Sequence, residues 1–387
     1  MTNPANNLAS AHNLFVTCAS GLELCLTEEL TQLGFPPSST GFRGVHVPYS
    51  LEAIYTINYC SRLASRVLLP LIKFECRDQK DLYTYASKID WPLYIPKGKT
   101  FAIDAHVDHD QLRNSLYAAQ VVKDAVCDVF RASTGDRPSV EPKQPDIQLN
   151  LFIHHTAAVI SLDTSGGPLH KRSYRQKGGG SPLQESLAAA ILHIARYQAD
   201  DILCDPCCGS GTLLIEAAYI ASQTPPGFLR KRWGFMAMPG FNEEEWLKIR
   251  VAADAKRIPL KRRHFTGLDI NNDAVDACLL NLSTAGFSKE VDVRQSDFRI
   301  YTPRTAPTII VCNPPYGKRM GPDDDETLHQ LYSDLGDFMK QKGGKPSRGF
   351  ILTGNLELGK SVGLKTSQKH ILSNGGIDSR LLEYRLY

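Results

Sequence analysis

The sequence has no long hydrophobic run and no leader-like start. No apolar stretch approaches the roughly 18–20 residues that a membrane span requires. The first residues, MTNPANNLASAHN, lack the charged-then-apolar order of a secretion signal. We therefore expect a cytoplasmic protein without a membrane partner. The 387 residues, 42% of them hydrophobic and 22% charged, are enough for two or three ordinary folded domains without internal repeats.

The sequence also lacks the cysteine spacing of a disulfide framework or a metal site. Its ten cysteines are scattered, and several, such as Cys18 and Cys312, lie in apolar runs typical of buried thiols in a reducing compartment. Cys204 and Cys207 have CxxC spacing, but no second CxxC or histidine pair accompanies them. The sequence therefore predicts no bound metal.

A large excess of charge is also absent, since the net charge is only +3. The basic residues are nevertheless clustered: residues 169–177 carry four and no acid, and residues 228–263 carry ten against four acids. Such clusters are typical of surfaces that follow a phosphate backbone, although a solvated linker or helix face gives the same pattern. Trp233, Phe235 and Trp246 interleave with the second cluster, where they could stack on bases or pack the segment onto its domain.

The first half of the chain is predicted to contain two α+β regions. Residues 1–69 show the order strand, helix, strand, helix, with Ser50 as the N-cap of the second helix. Residues 70–168 contain a long amphipathic helix at 111–131, followed by two strands. The apolar stripe predicted for that helix consists of Leu112, Leu116, Ala119, Val122 and Val126.

The second region resembles the THUMP domain, an RNA-binding module of RNA-modifying enzymes. The matching residues are 100–103, Arg137-Pro138 and the strand exit at 162–169, followed by the basic HKRSYR of residues 170–175. The resemblance implies that this region reads RNA shape and backbone rather than base sequence. The exit residues expected to contact RNA are Lys171, Arg172 and Arg175.

The second half alternates strands and helices, which favours a parallel sheet with helices on both faces. Residues 169–180 are predicted to be a linker whose Gly178-Gly179-Gly180 forms a flexible hinge, and Ser181-Pro182 start a helix. The basic insertion, at about residues 223–264, lies between the first and second strands of this half. The final two strands are predicted to form an antiparallel hairpin at the sheet edge.

Three predicted strand ends in this half carry groups suited to a nucleoside ligand. The first strand leads into DPCCGSGT at 205–212, where Gly209 and Gly211 allow the backbone to approach a ligand closely. Asp269 and Asp297 follow the next two strands, and ligands of open parallel sheets lie beyond such carboxyl ends. The full Gly-x-Gly-x-x-Gly of dinucleotide enzymes and the lysine-containing phosphate loop of kinases are both missing.

A fourth strand, ending at Cys312, leads into Asn313-Pro314-Pro315-Tyr316. The exocyclic amine of a nucleobase is a poor nucleophile, because its lone pair is delocalised into the ring. The Asn313 side-chain oxygen and the Pro314 carbonyl are suited to accept hydrogen bonds from such an amine, and Tyr316 offers a face for the base. Positioning and electrostatics then carry most of the rate, and a base in a duplex must first be flipped out.

The glycine loop and the Asn-Pro-Pro-Tyr loop together resemble the amino-methylating branch of the class I S-adenosylmethionine (SAM) methyltransferases. The resemblance covers nearly the whole chain and is greatest with bacterial 23S rRNA guanine-N2 methyltransferases of the RlmL type, in the THUMP-containing UPF0020 group. Trp246-Leu247-x-x-Arg250 and Leu352-Thr353-Gly354-Asn355 also fit that group. The resemblance implies an α/β fold, in which an N-terminal α+β region is followed by a Rossmann-like, mostly parallel seven-stranded sheet at 181–387. It also implies SAM as the cofactor and RNA as the partner.

The resemblance further implies roles for the site residues. Asp205 would face the SAM ammonium group, Asp269 the ribose hydroxyls and Asp297 the adenine amino group, with Phe298 stacked on the ring. The residues expected to contact SAM are Gln184, Asp205, Cys207, Gly209, Ser210, Gly211, Thr212, Asp269, Ile270, Asp297 and Phe298. The residues expected around the reacting amine and its phosphate are Asn313, Pro314, Pro315, Tyr316, Lys318 and Arg319.

Three hypotheses compete at this point. The first is guanine-N2 methylation of 23S rRNA, with a guanine of tRNA as the nearest rival target. The second is methylation of another amino group, either adenine N6 in DNA or a protein glutamine. The third is a non-catalytic RNA-binding protein. The RNA-binding resemblance disfavours DNA and protein targets, and the complete cofactor pattern disfavours a binding role alone. Some relatives carry a second domain that makes 7-methylguanine, and because the sequence ends at Tyr387 we expect that activity to be absent.

Overall fold

The computed structural model describes residues 13–176, 183–317 and 325–387, and the chain divides into two compact units. The first unit comprises Met1–Cys18, Leu26–Leu169 and Arg230–Ala252; the second comprises Ala19–Cys25, His170–Leu229 and Ala253–Tyr387. Some sequence predictions lie outside the described residues, namely those for residues 1–12, Gly178-Gly179-Gly180, Ser181-Pro182, Lys318 and Arg319. In the part of the chain that is described, no helix has both the length and the apolarity to cross a membrane.

The regular elements are numbered in chain order. The strands are β1 Asn13–Thr17, β2 Ser39–Gly41, β3 Gly44–Pro48, β4 Arg66–Glu75, β5 Phe101–Asp108, β6 Ile147–His154, β7 Ala157–Asp163, β8 Leu203–Asp205, β9 Phe265–Asp269, β10 Val291–Gln295, β11 Ile309–Cys312, β12 Ser347–Thr353, β13 Thr366–Asn374 and β14 Ile377–Leu386. The helices are α1 Glu23–Gln32, α2 Leu51–Cys60, α3 Gln79–Ala86, α4 Ser115–Thr134, α5 Glu185–Ile194, α6 Thr212–Ala221, α7 Glu243–Asp254, α8 Asn272–Ala285, α9 Asp325–Lys342 and α10 Leu356–Ser361.

A seven-stranded sheet in the order β2-β3-β1-β4-β7-β6-β5 forms the first unit. β4 pairs with β1 on one side and with β7 on the other, so one sheet extends through both predicted α+β regions. The predicted boundary between residues 69 and 70 therefore falls inside a strand. Pro70 is tolerated there because the ladder shifts register between Pro70 and Ile72, where a missing amide donor does least harm.

The helices of the first unit follow local signals in the sequence. Ser50 caps α2 as predicted, accepting a hydrogen bond from the Ala53 amide at 2.9 Å. The buried face of α4 includes Ala118 and Val122. Leu116, predicted to belong to the apolar stripe, is instead 72% exposed, because it lies in the first turn beside that face.

The aromatic residues of the basic insertion are part of the first unit's core. Trp233, Phe235 and Trp246 are 5%, 2% and 3% exposed. The ring of Phe235 lies 4.9 Å from that of Tyr55, and the ring of Trp246 lies 5.4 Å from that of Tyr59, both on α2. These rings therefore pack rather than stack on bases. The sequence assigns the insertion to the C-terminal domain, whereas Arg230–Ala252 clusters with the first unit.

A second seven-stranded sheet, in the order β10-β9-β8-β11-β12-β14-β13, forms the second unit. The five strands β10, β9, β8, β11 and β12 run parallel to one another, and β14 is antiparallel to both β12 and β13. The sheet thus has the predicted mixed character, mostly parallel with an antiparallel edge hairpin. The strand order reverses between β8 and β11, whose residues are all buried. In open α/β sheets, ligands bind at such a switch point, beyond the carboxyl ends of the strands.

Candidate active site

The loop after β8 takes a conformation that its glycines make possible. Gly211 has φ of +84°, and a Cβ there would overlap Cys278 Sγ. A larger residue is therefore excluded both by the backbone conformation and by the lack of space. Gly209 has φ of +52°, and a Cβ there would meet no atom within 4 Å. The loop therefore presents backbone to open space at Gly209, as the close approach of a ligand requires.

Asp205, the last residue of β8, has a carboxyl group whose burial disfavours the ionised form. It is 1% exposed and accepts a hydrogen bond from the Cys207 amide at 3.1 Å. Burial, reinforced by the nearby Asp269 carboxylate, raises its pKa to about 8. A cationic group placed beside Asp205 would favour its ionised form, and the ammonium group predicted for this position is such a cation.

Asp269, at the end of β9, holds the glycine loop in place. Its Oδ2 accepts from the Gly209 amide at 2.9 Å, and its Oδ1 accepts from the Asn271 amide at 2.9 Å. Each oxygen retains a further lone pair for a ligand hydroxyl. Ile270 beside it is 66% exposed, an apolar surface at the same strand end that a planar ring could cover.

Asp297 and Phe298 follow β10, and they differ in how far they fit their predicted roles. Asp297 forms an ion pair with Arg299 at 2.6 Å, which holds the pKa of the carboxyl below its ordinary value. Phe298 is 6% exposed and meets Phe338 in a T-shaped contact, so most of its ring belongs to the core. This burial disfavours the predicted stacking of Phe298 on the adenine ring, which stays a prediction.

The Asn313 loop follows β11, the sheet neighbour of β8, so the two loops emerge from adjacent strands at the same edge. Asn313 Oδ1 is buried and has no hydrogen-bond partner among the described residues. An orphaned acceptor is unusual in a folded protein and costs about 1–3 kcal/mol. The two residues that follow Asn313 are Pro314, which is buried, and Pro315, which is exposed.

The ring of Tyr316 is held in place by the β13–β14 hairpin and the end of β12. Asn374 donates a hydrogen bond to the Tyr316 hydroxyl at 3.0 Å. A Cβ on Gly354 would lie 2.9 Å from Tyr316 Cε2 and 3.0 Å from Ile377 Cγ2, so a larger residue there would displace the ring. Sequence reasoning missed Asn374 and gave Gly354 no role at the site. A signal for the first exists, since Asn374 precedes the Gly375-Gly376 turn of the predicted hairpin.

Two of the three exit residues predicted to contact RNA, Arg172 and Arg175, have other partners. Arg172 is 3% exposed and lies 3.7 Å from the Glu216 carboxylate. Arg175 donates to Glu185 at 2.8 Å and to the hydroxyls of Ser210 and Thr212, both at 2.9 Å. The guanidinium groups of both arginines are thus committed inside the second unit, which disfavours their assignment to RNA; that assignment stays a prediction.

The remaining predicted residues are placed without a decisive contact. Lys171 is exposed and stays available to a phosphate. Gln184 is exposed at the N-cap of α5, where its side chain makes no capping hydrogen bond. Cys207 is partly exposed between Asp205 and the glycines.

Comparison with known families identifies all three parts of the chain. Residues 172–383 match the UPF0020 model, described as an RMKL-like methyltransferase domain. Residues 76–163 match the THUMP domain, and residues 13–68 match the RlmL ferredoxin-like domain.

Individual relatives agree with these matches. The ribosomal RNA large subunit methyltransferase K/L of Saccharophagus degradans is 36% identical over 99% of this chain and 52% of that protein. A putative RNA methyltransferase of Synechocystis sp. is 35% identical over 98% of each chain. The chain spans about half the length of the K/L relatives it matches.

A solved structure also superimposes over almost the entire chain. It is SMU.472, a putative methyltransferase complexed with SAH, with a TM-score of 0.86 and 26% identity over 97% of this chain and 98% of that one. The class I methyltransferase fold with an N-terminal THUMP domain, predicted from sequence, is confirmed. The chain belongs to the UPF0020 family of RMKL-like methyltransferases that carry THUMP and RlmL ferredoxin-like domains.

Proposed function

We propose that this chain transfers the methyl group of SAM to the exocyclic N2 amine of a guanosine in 23S rRNA. The observation that carries the proposal is the buried Asn313 Oδ1, which has no partner among the described residues and lies in the loop next to the glycine loop. A preorganised acceptor without a partner suits a donor that arrives with the substrate. An amine N–H is such a donor.

The residues at the ends of β8 and β9 fit SAM, which when bound supplies a sulfonium-activated methyl group. The Asp205 carboxylate is buried and makes no ion pair with any residue that the structure describes, so it suits the ammonium group. Asp269 retains acceptor capacity for ribose hydroxyls while it holds Gly209. Ile270 offers its exposed side chain to the adenine ring.

The Asn313 loop fits the amine that accepts the methyl group. Asn313 Oδ1 and the Pro314 carbonyl accept from the two N–H groups and turn the nitrogen lone pair toward the incoming carbon. Tyr316 stacks on the flipped base, with its ring held by Asn374 and Gly354. Orienting the two reactants in this way converts an encounter into an effectively intramolecular reaction.

The choice of RNA rests on the THUMP match and on the names of relatives. Those of Saccharophagus degradans and Methylococcus capsulatus are called ribosomal RNA large subunit methyltransferases K/L, and the Synechocystis relative a putative RNA methyltransferase. Guanine N2 follows from the resemblance of the whole chain to the RlmL type. A protein with this substrate would act in the cytoplasm, where ribosomes are assembled.

Nucleoside mass spectrometry tests the proposal. rRNA and tRNA are isolated from a strain that lacks the protein and from the same strain complemented with wild-type or Asn313→Ala protein. We expect one N2-methylguanosine to disappear from 23S rRNA and to return only with the wild type. A loss confined to tRNA, or a loss of N6-methyladenosine, would replace the proposed substrate. Unchanged RNA would remove the proposal.

A further inference from the structure

The basic segment after the THUMP region, residues 171–176, turns several side chains toward the loop after β8 rather than toward solvent. Tyr174 is fully buried and donates to Glu216 of α6 at 3.2 Å, and Arg172 lies against the same carboxylate. α6 begins at Thr212, directly after the glycine loop. The segment thus lies along the loop and the helix that follows it, and we call it the exit segment.

Arg175 makes the most direct connection. Its Nε donates to Glu185 Oε1 at 2.8 Å, and its Nη1 donates to Ser210 Oγ at 2.9 Å. Its Nη2 donates to Thr212 Oγ1 at 2.9 Å and to the Leu183 carbonyl at 3.1 Å. One planar guanidinium therefore ties the glycine loop to the start of α5. Lysine cannot reproduce this fork, since its donors radiate from a single nitrogen.

A second connection runs through Asn281 of α8, which is fully buried. Its Oδ1 accepts from the Gln176 amide at 2.8 Å, and its Nδ2 donates to the Ser210 carbonyl at 3.0 Å. Ser210 is thus held at its hydroxyl by Arg175 and at its carbonyl by Asn281. Both links connect the exit segment to the residue between Gly209 and Gly211.

We propose that the exit segment braces the glycine loop in its ligand-binding conformation, and that Arg175 is a positioning residue for SAM rather than an RNA contact. This inference rests on the proposed function. Glycine-containing loops lose much backbone freedom when they become ordered, and a loop that is already fixed binds its ligand with less of that loss. Arg175 fixes Ser210 and Thr212 without a role in the chemistry itself.

The test is calorimetric titration of SAM into purified full-length wild type, Arg175→Lys and Arg304→Lys. Arg175→Lys keeps the cation beside Glu185 but loses the fork; Arg304 is an exposed loop residue and serves as the matched control. We expect the Kd for SAM to rise at least about tenfold in Arg175→Lys, equivalent to about 1.4 kcal/mol. Arg304→Lys should stay within about twofold of wild type.

Steady-state kinetics adds a readout that a general loss of stability would not give. In Arg175→Lys the KM for SAM should rise, while the KM for rRNA and kcat at saturating SAM stay near wild type. A double variant, Arg175→Gln with Glu185→Gln, leaves no unpaired buried charge and should show the same loss of SAM affinity.

The outcomes separate this inference from the proposed function. If wild type itself binds no SAM, the proposed function fails. If wild type binds SAM and both folded Arg175 variants bind it equally well, the brace is wrong. If the KM for rRNA rises and the Kd for SAM does not, Arg175 is an RNA contact after all and the inference is overturned.

Discussion

The side-chain amide of Asn374 donates a hydrogen bond of 3.0 Å to the hydroxyl of Tyr316, across 58 residues of sequence. The bond connects the end of β13, in the β13–β14 hairpin, to the loop that we assign to the target base. Two contacts therefore fix the position of the Tyr316 side chain: the hydrogen bond at its hydroxyl and the packing of its ring against Gly354. The hairpin, which contributes no predicted catalytic group, therefore helps to set the stacking platform.

This relationship predicts a non-additive double-mutant cycle. Asn374→Ala and Tyr316→Phe each remove the same hydrogen bond, so each should lower kcat/KM for rRNA by about 2–10-fold, the net value of one such bond. The double variant should be hardly worse than either single variant. The Kd for SAM serves as the control and should not change. Effects that simply multiply would show that the two residues act separately.

Asn313→Ala should lower kcat by about 100-fold or more, since it removes an acceptor aimed at the reacting amine. The Kd for SAM should remain within about twofold of wild type. Thermal stability should not fall through loss of a hydrogen bond at Oδ1, because that atom has no partner among the described residues. Calorimetry, single-turnover kinetics and thermal melts measure the three quantities. A normal kcat would place the chemistry elsewhere.

Asp269→Asn should weaken SAM binding by roughly 10–100-fold, which corresponds to the loss of a charge-assisted hydrogen bond. The carboxylate accepts from both Gly209 and Asn271, whereas an amide has one oxygen and would set its NH₂ against one of these donors. Asp273→Asn on the exposed first turn of α8 is the matched control. Calorimetry showing equal affinity in all three proteins would contradict the pocket.

The stability of the SAM-free protein should depend on pH through Asp205. Its pKa is raised by burial to about 8 in the folded protein, against 3.8 for an ordinary aspartate. Between these values the folded state binds a proton that the unfolded state has released, so this group lowers stability as pH rises. Asp205→Asn has no such proton. Its melting temperature should therefore rise relative to wild type between about pH 5 and pH 8. A constant difference across that range would rule out a neutral Asp205 in the folded protein.

The sheet edge that we propose as the cofactor site was accessible to sequence reasoning because its signals are local. Asp205 and Asp269 are the last residues of β8 and β9, and Asp297 lies two residues after β10. The strand order places these three strand ends side by side once the sheet is recognised. The Asn313 loop is found in the same way. Residue type and position along a strand suffice for such predictions.

Other features of the site depend on contacts that a local pattern does not encode. Charge places Arg172 and Arg175 in a basic cluster, but only the tertiary structure shows that Glu216, Glu185 and Ser210 neutralise or bind them. The hydrogen bond of Asn374 is missed for the same reason, since its partner lies 58 residues away, although the Gly375-Gly376 turn marks the position of Asn374 in the sequence. Sequence reasoning also passed over α9, although it buries Tyr332 and Leu335 against the sheet.

The aromatic core of the insertion yields a stability prediction that separates packing from RNA stacking. Trp246 is 3% exposed and contacts Tyr55 and Tyr59, so Trp246→Ala should destabilise the first unit by about 3–5 kcal/mol. Leu247→Ala is the matched control, because its side chain is 45% exposed on the same helix and its loss should cost under about 1 kcal/mol. Guanidinium denaturation measures both. Because the residues that we propose to bind SAM all lie in the second unit, the Kd for SAM should stay unchanged in either folded variant. A stable Trp246→Ala protein with weakened rRNA binding would instead make this ring a base-stacking surface.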